Sequence, residues 1–281
     1  MRVLLTGAGG MLGSAFAESL VHDELVAVGR ECLDIRYSRL IRQKILDASP
    51  DVVLNCAAHT DVEGAEHDPD TCYAANAVLP GILGAACRAA AAKLVHFSST
   101  GCYGAWKSTP YIDLDPLQPT TTHHRAKLAG EDAIRSSGCE HLILRTGWLF
   151  GGNRSHKNNF VWRRIIEAGD REHMTSDASQ RGNPTYTHDV VAQTLKLIEV
   201  DLRGTFNLTA NGSASRYEYV ARIVTAAKLP CKVEPGPPFK RVAPVSSNEV
   251  GRNYKLQLLG LDTMPEWEVS VDRYVHELLN S

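Results

Sequence analysis

A glycine-rich turn near the start of the chain restricts its fold more than any other feature. The segment T-G-A-G-G-M-L-G at 6–13 follows a short apolar run and opens a segment with helical periodicity. Glycines permit a tight strand-to-helix turn and let a pyrophosphate approach the backbone N–H groups of the helix N-terminus. The alternative is a glycine turn with a purely structural role. The position of the segment between a strand and an amphipathic helix favours dinucleotide binding. The predicted cofactor-binding residues of this turn are Gly7, Gly10, Met11, Leu12 and Gly13.

Segments with strand and helix patterns alternate through the first half of the chain. The predicted strands are 2–6, 24–28, 51–56, 93–98 and 141–145. The predicted helices between them are 11–20, 37–48, 71–92 with a break or a redirection near Pro80, and 121–136. This alternation predicts an α/β fold with a Rossmann-type, doubly wound parallel sheet.

The pattern changes after Gly147, and a polar, loop-like segment at 151–159 follows. The predicted elements of this second half are helices at 160–168, 187–200 and 215–228, a strand at 205–209, a loop at 235–244 and a final helix from about 270. We expect residues 1–150 to form an NAD(P)-binding Rossmann domain, with segments near 185–210 returning to it. We expect residues 151–281 to form a smaller substrate-binding lobe.

Composition excludes several classes of partner. The formal net charge is -2 and the 30 lysines and arginines are scattered, so we expect no nucleic-acid partner. No apolar run reaches the roughly 18 residues of a membrane span, and no secretory signal precedes the first strand. The seven cysteines include no C-x-x-C pair, and no histidine motif suggests a metal. A cytoplasmic protein with reduced thiols and no metal is therefore expected, and a homodimer is left open.

The end of the second predicted strand carries information about the cofactor. A carboxylate at this position would bind the 2′-hydroxyl of NAD, whereas Arg30 suits the 2′-phosphate of NADP. The sequence therefore favours NADPH, although Arg30 could be a solvated surface side chain and Glu31 leaves NADH open. Asp34 is expected near the adenine amino group.

A family resemblance rests on several segments spread over nearly the whole chain. The stretch H-H-R-A-K-L-A-G-E at 123–131 has the form of a Y-x-x-x-K-L-A-G-E segment, with His123 at the tyrosine position. N-C-A-A-H-T-D-V at 55–62 and P-T-Y-T-H-D at 184–189 are the more specific segments. The chain resembles the extended short-chain dehydrogenases, and within them the dTDP-4-dehydrorhamnose reductases. Sister families include sugar epimerases, dehydratases and a non-catalytic regulatory subunit.

The resemblance implies an NADPH-dependent reduction of a nucleotide-linked 4-keto-6-deoxy sugar. It assigns a substrate-polarising hydroxyl to Ser99 and the lysine that holds the nicotinamide ribose to Lys127, with His123 in place of the proton-donating tyrosine. The other cofactor contacts that it implies are Ala57, Ala58 and Asn76. The substrate contacts that it implies are Thr60, Thr100, Trp148 and Asn159.

The chain departs from the family pattern at three places. His123 replaces the tyrosine, and the family's S-T-D-Y-V-F reads S-S-T-G-C-Y at 98–103, which removes an aromatic side chain at Gly101. The basic R-P-x-N-S-x-L-D segment is degraded to G-R-N-Y-K-L at 251–256. The identity of the sugar is therefore left open.

A histidine at position 123 could replace the tyrosine as a general acid. An imidazole starts near pKa 6.5 and can act as a general acid, and the neighbouring Lys127 is expected to keep it mostly neutral at pH 7. A space-filling His123 in an inactive site is the alternative, and Tyr103, Tyr111 or His124 could replace it as the acid. Three functions follow: a reductase, a cofactor-binding regulatory subunit without turnover, and an epimerase or dehydratase.

Overall fold

Six parallel strands form the central sheet of the protein, which we describe from a computed structural model covering residues 1–280. The sheet has the order β10-β5-β4-β3-β1-β2. Its strands are β1 (Arg2–Thr6), β2 (Glu24–Val28), β3 (Val52–Asn55), β4 (Lys93–Ser99), β5 (His141–Thr146) and β10 (Gly204–Leu208). The predicted α/β class and parallel Rossmann-type sheet are confirmed.

Helices cover both faces of this sheet, because its buried strands carry apolar side chains on both sides. Leu12 of α1 and Val190 of α8 pack on one face, and Ile41 of α2, Leu83 of α5 and Ile134 of α6 pack on the other. The helices are α1 (Met11–Ser19), α2 (Ser38–Ala48), α3 (Gly64–His67), α4 (Pro69–Tyr73), α5 (Leu79–Ala90), α6 (Thr122–Ser137), α7 (Phe160–Gly169), α8 (Thr187–Glu199), α9 (Arg216–Ala226), α10 (Tyr254–Leu258) and α11 (Trp267–Asn280). None of the helices within residues 1–280 is both long and apolar enough to cross a membrane.

The second half adds short strand pairs and an aromatic core. Phe150, Tyr186 and Tyr274 stack or tilt against one another, and α9 and α11 close over them. The pairs are β6 with β9, β7 with β12, and β8 with β11. Their bounds are β6 (Trp148–Phe150), β7 (His173–Asp177), β8 (Arg181–Gly182), β9 (Pro184–Tyr186), β11 (Ala214–Ser215) and β12 (Lys232–Gly236). Because β10 joins the central sheet and α8 packs on α1, both lie against the first half. The domain boundaries themselves stay a prediction.

The predicted redirection of a long helix near Pro80 agrees with the structure. A π-helical turn at Ala74–Val78 lies between α4 and α5, directly before the turn that holds Pro80. Several other element predictions were wrong in detail. The predicted loop at 235–244 begins inside β12, and the final helix starts at Trp267 instead of about 270. The strands β6 to β9, β11 and β12 were not predicted.

A buried ion pair fixes α6 on the sheet. The carboxylate of Glu131 accepts hydrogen bonds from Arg145 Nε at 2.9 Å and Nη2 at 2.7 Å, and from Ser98 Oγ at 2.6 Å. Burial alone would raise the pKa of Glu131, but the hydrogen bonds from Arg145 and Ser98 more than offset it and lower the pKa. The three residues come from α6, β5 and β4, so this pair sets the position of the helix along the strands.

We expect Glu131→Gln to destabilise the protein by about 3–5 kcal/mol, because it leaves the Arg145 guanidinium buried without a counter-charge. Urea unfolding at pH 7 measures the loss. Glu140→Gln, which breaks the exposed pair with Arg203 at 2.8 Å, is the control and should change the free energy of unfolding by at most about 1 kcal/mol. Equal losses in the two variants would contradict the role of the buried pair.

Candidate active site

The glycine turn forms a cradle at the N-terminus of α1. Gly7 has a φ of 69°, and a Cβ there would lie 2.7 Å from the backbone N of Ala57. A Cβ on Gly13 would lie 2.1 Å from Gly7 O. Gly10 precedes α1 and caps it with no side chain. The backbone N–H groups of the first turn, including that of Met11, are therefore available to an anion such as a pyrophosphate.

The end of β2 carries two arginines and two carboxylates. Arg30 is exposed, and the Glu31 carboxylate lies over Gly29. Asp34 accepts from Arg36 Nη2 at 2.6 Å, and this hydrogen bond lowers the pKa of Asp34. The Asp34 carboxylate is thus shared with Arg36, which sequence reasoning missed. The adenine contact assigned to Asp34 stays a prediction.

The loop after β3 is held from both sides. Ala57 N donates to Thr6 Oγ1 at 3.2 Å. Asn76 Nδ2 donates to His59 O at 2.9 Å, and Asn76 Oδ1 accepts from His59 N at 3.0 Å. Asn76 is fully buried, so it positions this loop, whereas Thr60 is exposed. The cofactor contacts assigned to Ala57, Ala58 and Asn76 stay predictions.

Lys127 lies one helical turn before Glu131 on the sheet-facing side of α6. Its Nζ donates to Phe97 O at 3.0 Å, and its side chain is buried. Burial lowers the pKa of Lys127 to about 8. One of its three N–H groups is used by Phe97, so this ammonium can still donate to ligand hydroxyls beside the cradle.

His123 lies one turn before Lys127, where the tyrosine was expected. Its Nε2 lies 3.1 Å from His59 O, and its Nδ1 is buried without a hydrogen-bond partner among residues 1–280. A carbonyl oxygen only accepts, so Nε2 carries the proton and Nδ1 has the lone pair. Burial, reinforced by His124 and Lys127, lowers the pKa of His123 to about 2. The ring is therefore neutral at pH 7, as the sequence predicted.

The hydroxyl side chains after β4 have different surroundings. Ser99 Oγ accepts from Gly101 N at 3.1 Å, as the cap of the short 3₁₀ turn at Thr100–Tyr103. Thr100 Oγ1 donates to Thr146 O at 3.3 Å and is buried, which argues against the predicted substrate contact. Tyr103 donates to Asn207 at 2.7 Å. Tyr103 is fully buried, so it is not a free acid.

The ring of His124 fills the space beside Gly101. A Cβ on Gly101 would lie 2.1 Å from His124 Cε1, so glycine is required where the ring stands. The family's aromatic side chain at Gly101 is missing, and His124 supplies a ring from the neighbouring helix instead. The missing aromatic side chain at Gly101 was readable from the sequence, but the placement of the His124 ring beside it was not.

The substrate-side residues cluster around Trp148. Trp148 Nε1 donates to Glu249 Oε2 at 2.7 Å, and the Arg216 guanidinium lies 3.4 Å from the centre of a Trp148 ring. Gln180 Nε2 lies 3.4 Å from the same Glu249 oxygen. Sequence reasoning missed Glu249, Gln180 and Arg216, because none lies in a motif that it used.

Asn159 is occupied inside the protein. Its Oδ1 accepts from Trp162 N at 3.0 Å and caps α7, and its Nδ2 donates to Tyr274 Oη at 2.7 Å. Its side chain is buried. These contacts argue against the predicted substrate contact of Asn159 and give it a capping role.

A strap at 239–243 crosses from the second half to the loop after β3. Glu63 Oε2 accepts from Val242 N at 2.9 Å and from Ala243 N at 3.1 Å. Arg241 Nη2 donates to Gln180 Oε1 at 3.2 Å, next to Arg216. The strap thus brings a further cation to the Trp148 cluster.

Comparisons with known proteins agree with this arrangement. Residues 1–280 match the family described as the RmlD substrate binding domain. A dTDP-4-dehydrorhamnose reductase of Mycolicibacterium smegmatis is 33% identical, over 95% of this chain and 82% of the relative. A crystal structure of a dTDP-4-dehydrorhamnose reductase from Clostridium acetobutylicum superimposes with a TM-score of 0.95, at 31% identity and 100% coverage of both chains. The enzyme of Bacillus anthracis in complex with NADP gives 0.93, at 30% identity over 98% of this chain and 99% of that chain.

The parallel sheet, the glycine cradle and Lys127 define an extended short-chain dehydrogenase/reductase. Within that class, the chain belongs to the dTDP-4-dehydrorhamnose reductase family, whose family description is the RmlD substrate binding domain. The predicted family resemblance is confirmed.

We expect Gly101→Ala to destabilise the protein by about 1–3 kcal/mol, because the new methyl group overlaps the His124 ring. Gly9→Ala is the matched control: a Cβ there meets nothing within 4 Å, so a change within about 0.5 kcal/mol is expected. Urea unfolding measures both.

A double-mutant cycle locates the cause. In a His124→Ala background, Gly101→Ala should lose most of its effect, because the clashing ring is gone. An undiminished effect in that background would refute the exchange of rings.

Proposed function

We propose that the protein is an NADPH-dependent reductase of a nucleotide-linked 4-keto-6-deoxy sugar. The observation that carries this proposal is the buried Lys127 beside the glycine cradle. A lysine held with its pKa near 8 is suited to binding ribose hydroxyls and to promoting proton transfer. Relatives of at least 30% identity over nearly the whole chain are named dTDP-4-dehydrorhamnose reductases, which supports the same sugar class.

The cradle fits a dinucleotide phosphate. Its turn allows close backbone approach at Gly7, and Arg30 lies exposed at the end of β2, the place of the ribose 2′-phosphate in such folds. The similar Bacillus anthracis reductase is in complex with NADP. Bound NADPH would supply the hydride, and Lys127 would hold its nicotinamide ribose.

The protein's own groups would orient and polarise the sugar. Ser99 would donate its hydroxyl proton to the keto oxygen, and Trp148 would line the sugar pocket with its indole held by Glu249. His123 would contribute its Nδ1 as a hydrogen-bond acceptor, since its Nε2 is directed at His59 O. A cytoplasmic location and a homodimer stay predictions.

One observation favours a second candidate, a cofactor-binding subunit without turnover. The neutral His123 ring, with its one proton directed to His59 O, is a poor replacement for a tyrosine acid. Such a subunit would bind NADPH and reduce no sugar. Oxidation of NADPH upon addition of dTDP-4-keto-6-deoxy sugars distinguishes the two functions.

We expect Lys127→Met to lower turnover by at least about 100-fold, because the general acid–base system loses its cation. Loss of reduced-nicotinamide absorbance with a dTDP-4-keto-6-deoxy sugar measures it. Lys93→Met is the matched control, since Lys93 has the same 7% exposure but pairs with Asp201. Equal turnover in wild type and Lys127→Met would contradict the assignment.

We expect Arg30→Ala to weaken NADPH binding by about tenfold and to leave NADH binding unchanged, because one charge-assisted phosphate contact is lost. Fluorescence titration with each nucleotide measures the two dissociation constants. Arg39→Ala, also exposed but on α2, is the control. Parallel weakening of both nucleotides would show that Arg30 does not read the 2′-phosphate.

A further inference from the structure

Reduction of a keto group needs a proton as well as a hydride, and His123 is badly placed to give one. Its Nε2 proton is directed to His59 O, and its Nδ1 has only a lone pair. Tyr103 and Tyr111 are fully buried and donate to Asn207 and to the Gly104 carbonyl. Of the candidate acids named from the sequence, all but one therefore direct their proton at another group of the protein.

That exception is His124. Its ring packs against Gly101, and its Nε2 lies 4.0 Å from Glu249 Oε1. Its Nδ1 is buried and has no hydrogen-bond partner among residues 1–280. A buried polar atom without a partner is unfavourable, so this nitrogen is suited to a group that arrives with a ligand.

The surroundings of His124 connect the two sides of the proposed sugar pocket. On one side, Gly101 N donates to Ser99 Oγ, the hydroxyl assigned to the keto oxygen. On the other side, Glu249 uses its Oε2 to bind Trp148 Nε1 and turns Oε1 towards His124. The imidazole thus lies between the residues that would polarise and enclose the sugar.

We propose that His124, and not His123, delivers the proton to the substrate oxygen, and that Glu249 is a positioning residue that holds the imidazolium. This inference rests on the proposed reductase function. It makes Glu249 Oε1, 4.0 Å from Nε2, the counter-charge of the His124 imidazolium and leaves Nδ1–H for the substrate; the distance is that of an ion pair and exceeds a hydrogen bond.

The step balances without any further reactant. Hydride from NADPH adds to the carbonyl carbon, and the C=O π pair moves to oxygen. The oxygen forms an O–H bond as the Nδ1–H bond of the His124 imidazolium breaks, so the products are an alcohol, the oxidised nicotinamide and neutral His124. Solvent then returns the proton to His124.

The charged groups around His124 set the pH dependence. Burial lowers the pKa of His124, the Glu249 carboxylate opposes this, and the Lys127 ammonium adds to the lowering. His123 on the same helix is neutral, and the Cys102 thiol donates to the His124 carbonyl. Because the donor must be protonated, kcat should fall as the pH rises through the pKa of His124.

The test compares two adjacent histidines and their carboxylate. We expect His124→Gln to lower kcat by about 10²–10⁴-fold and to abolish the falling limb of its pH profile. Glu249→Gln should move that limb to lower pH by about one unit, because a negative charge near the imidazolium is lost. His123→Gln should keep the falling limb of the kcat–pH profile, whatever its kcat. His276→Gln, at an exposed position, is the control for basal activity. NADPH titration of every variant reports whether it is folded.

The outcomes separate the two proposals. Wild type that binds NADPH but turns over no keto sugar overturns the reductase function, and this inference with it. Wild-type turnover with an unchanged pH profile in both His124→Gln and Glu249→Gln overturns this inference alone. If His124→Gln does not bind NADPH, the pH profile of Glu249→Gln tests this inference instead: a falling limb at lower pH supports it, and an unmoved limb overturns it.

Discussion

The buried carboxylate of Glu131 is the contact on which the site depends. It ties α6 to β4 and β5 through Ser98 and Arg145, so the helix cannot slide or rotate without breaking a desolvated ion pair. Lys127 follows one turn away and reaches the Phe97 carbonyl. Lys127 and His124, which lie on the same helix, are therefore placed by a carboxylate that is itself fully buried.

The glycine at 101 and the histidine at 124 are coupled in space. Glycine at 101 alone would leave a hole, and a ring at 124 alone would collide with a side chain at 101; together they keep the volume filled. The result replaces a side chain on the strand-end turn by an ionisable ring on α6. The identity of residue 123 then says less about the proton donor than the identity of residue 124, because the His123 proton is directed at the backbone carbonyl of His59.

The sequence predicted the central sheet well, because alternating buried strands and helices carry a local signal that tertiary packing does not override. The glycine turn could be recognised because its signal is also local. Gly7 and Gly13 are required by contacts within one βα unit and with the end of the neighbouring strand. Strands of two or three residues such as β8 and β9 carry too little pattern to be recognised. Glu249 could not be found, since its partner Trp148 is 101 residues away. Asn159 was assigned to substrate by resemblance, and only coordinates reveal that its amide caps a helix.

The strap at 239–243 links the loop after β3 to the Trp148 cluster. The backbone N–H groups of Val242 and Ala243 donate to a single oxygen of Glu63, and that of Phe239 donates to Asp177 Oδ2 at 3.2 Å. Hydrogen bonds to a carboxylate contribute about 1.5–3 kcal/mol each, so Glu63 is a substantial anchor of the strap. Because Arg241 in the same strap reaches Gln180, a change at Glu63 would act on the Trp148 cluster from the opposite half of the chain without touching the central sheet.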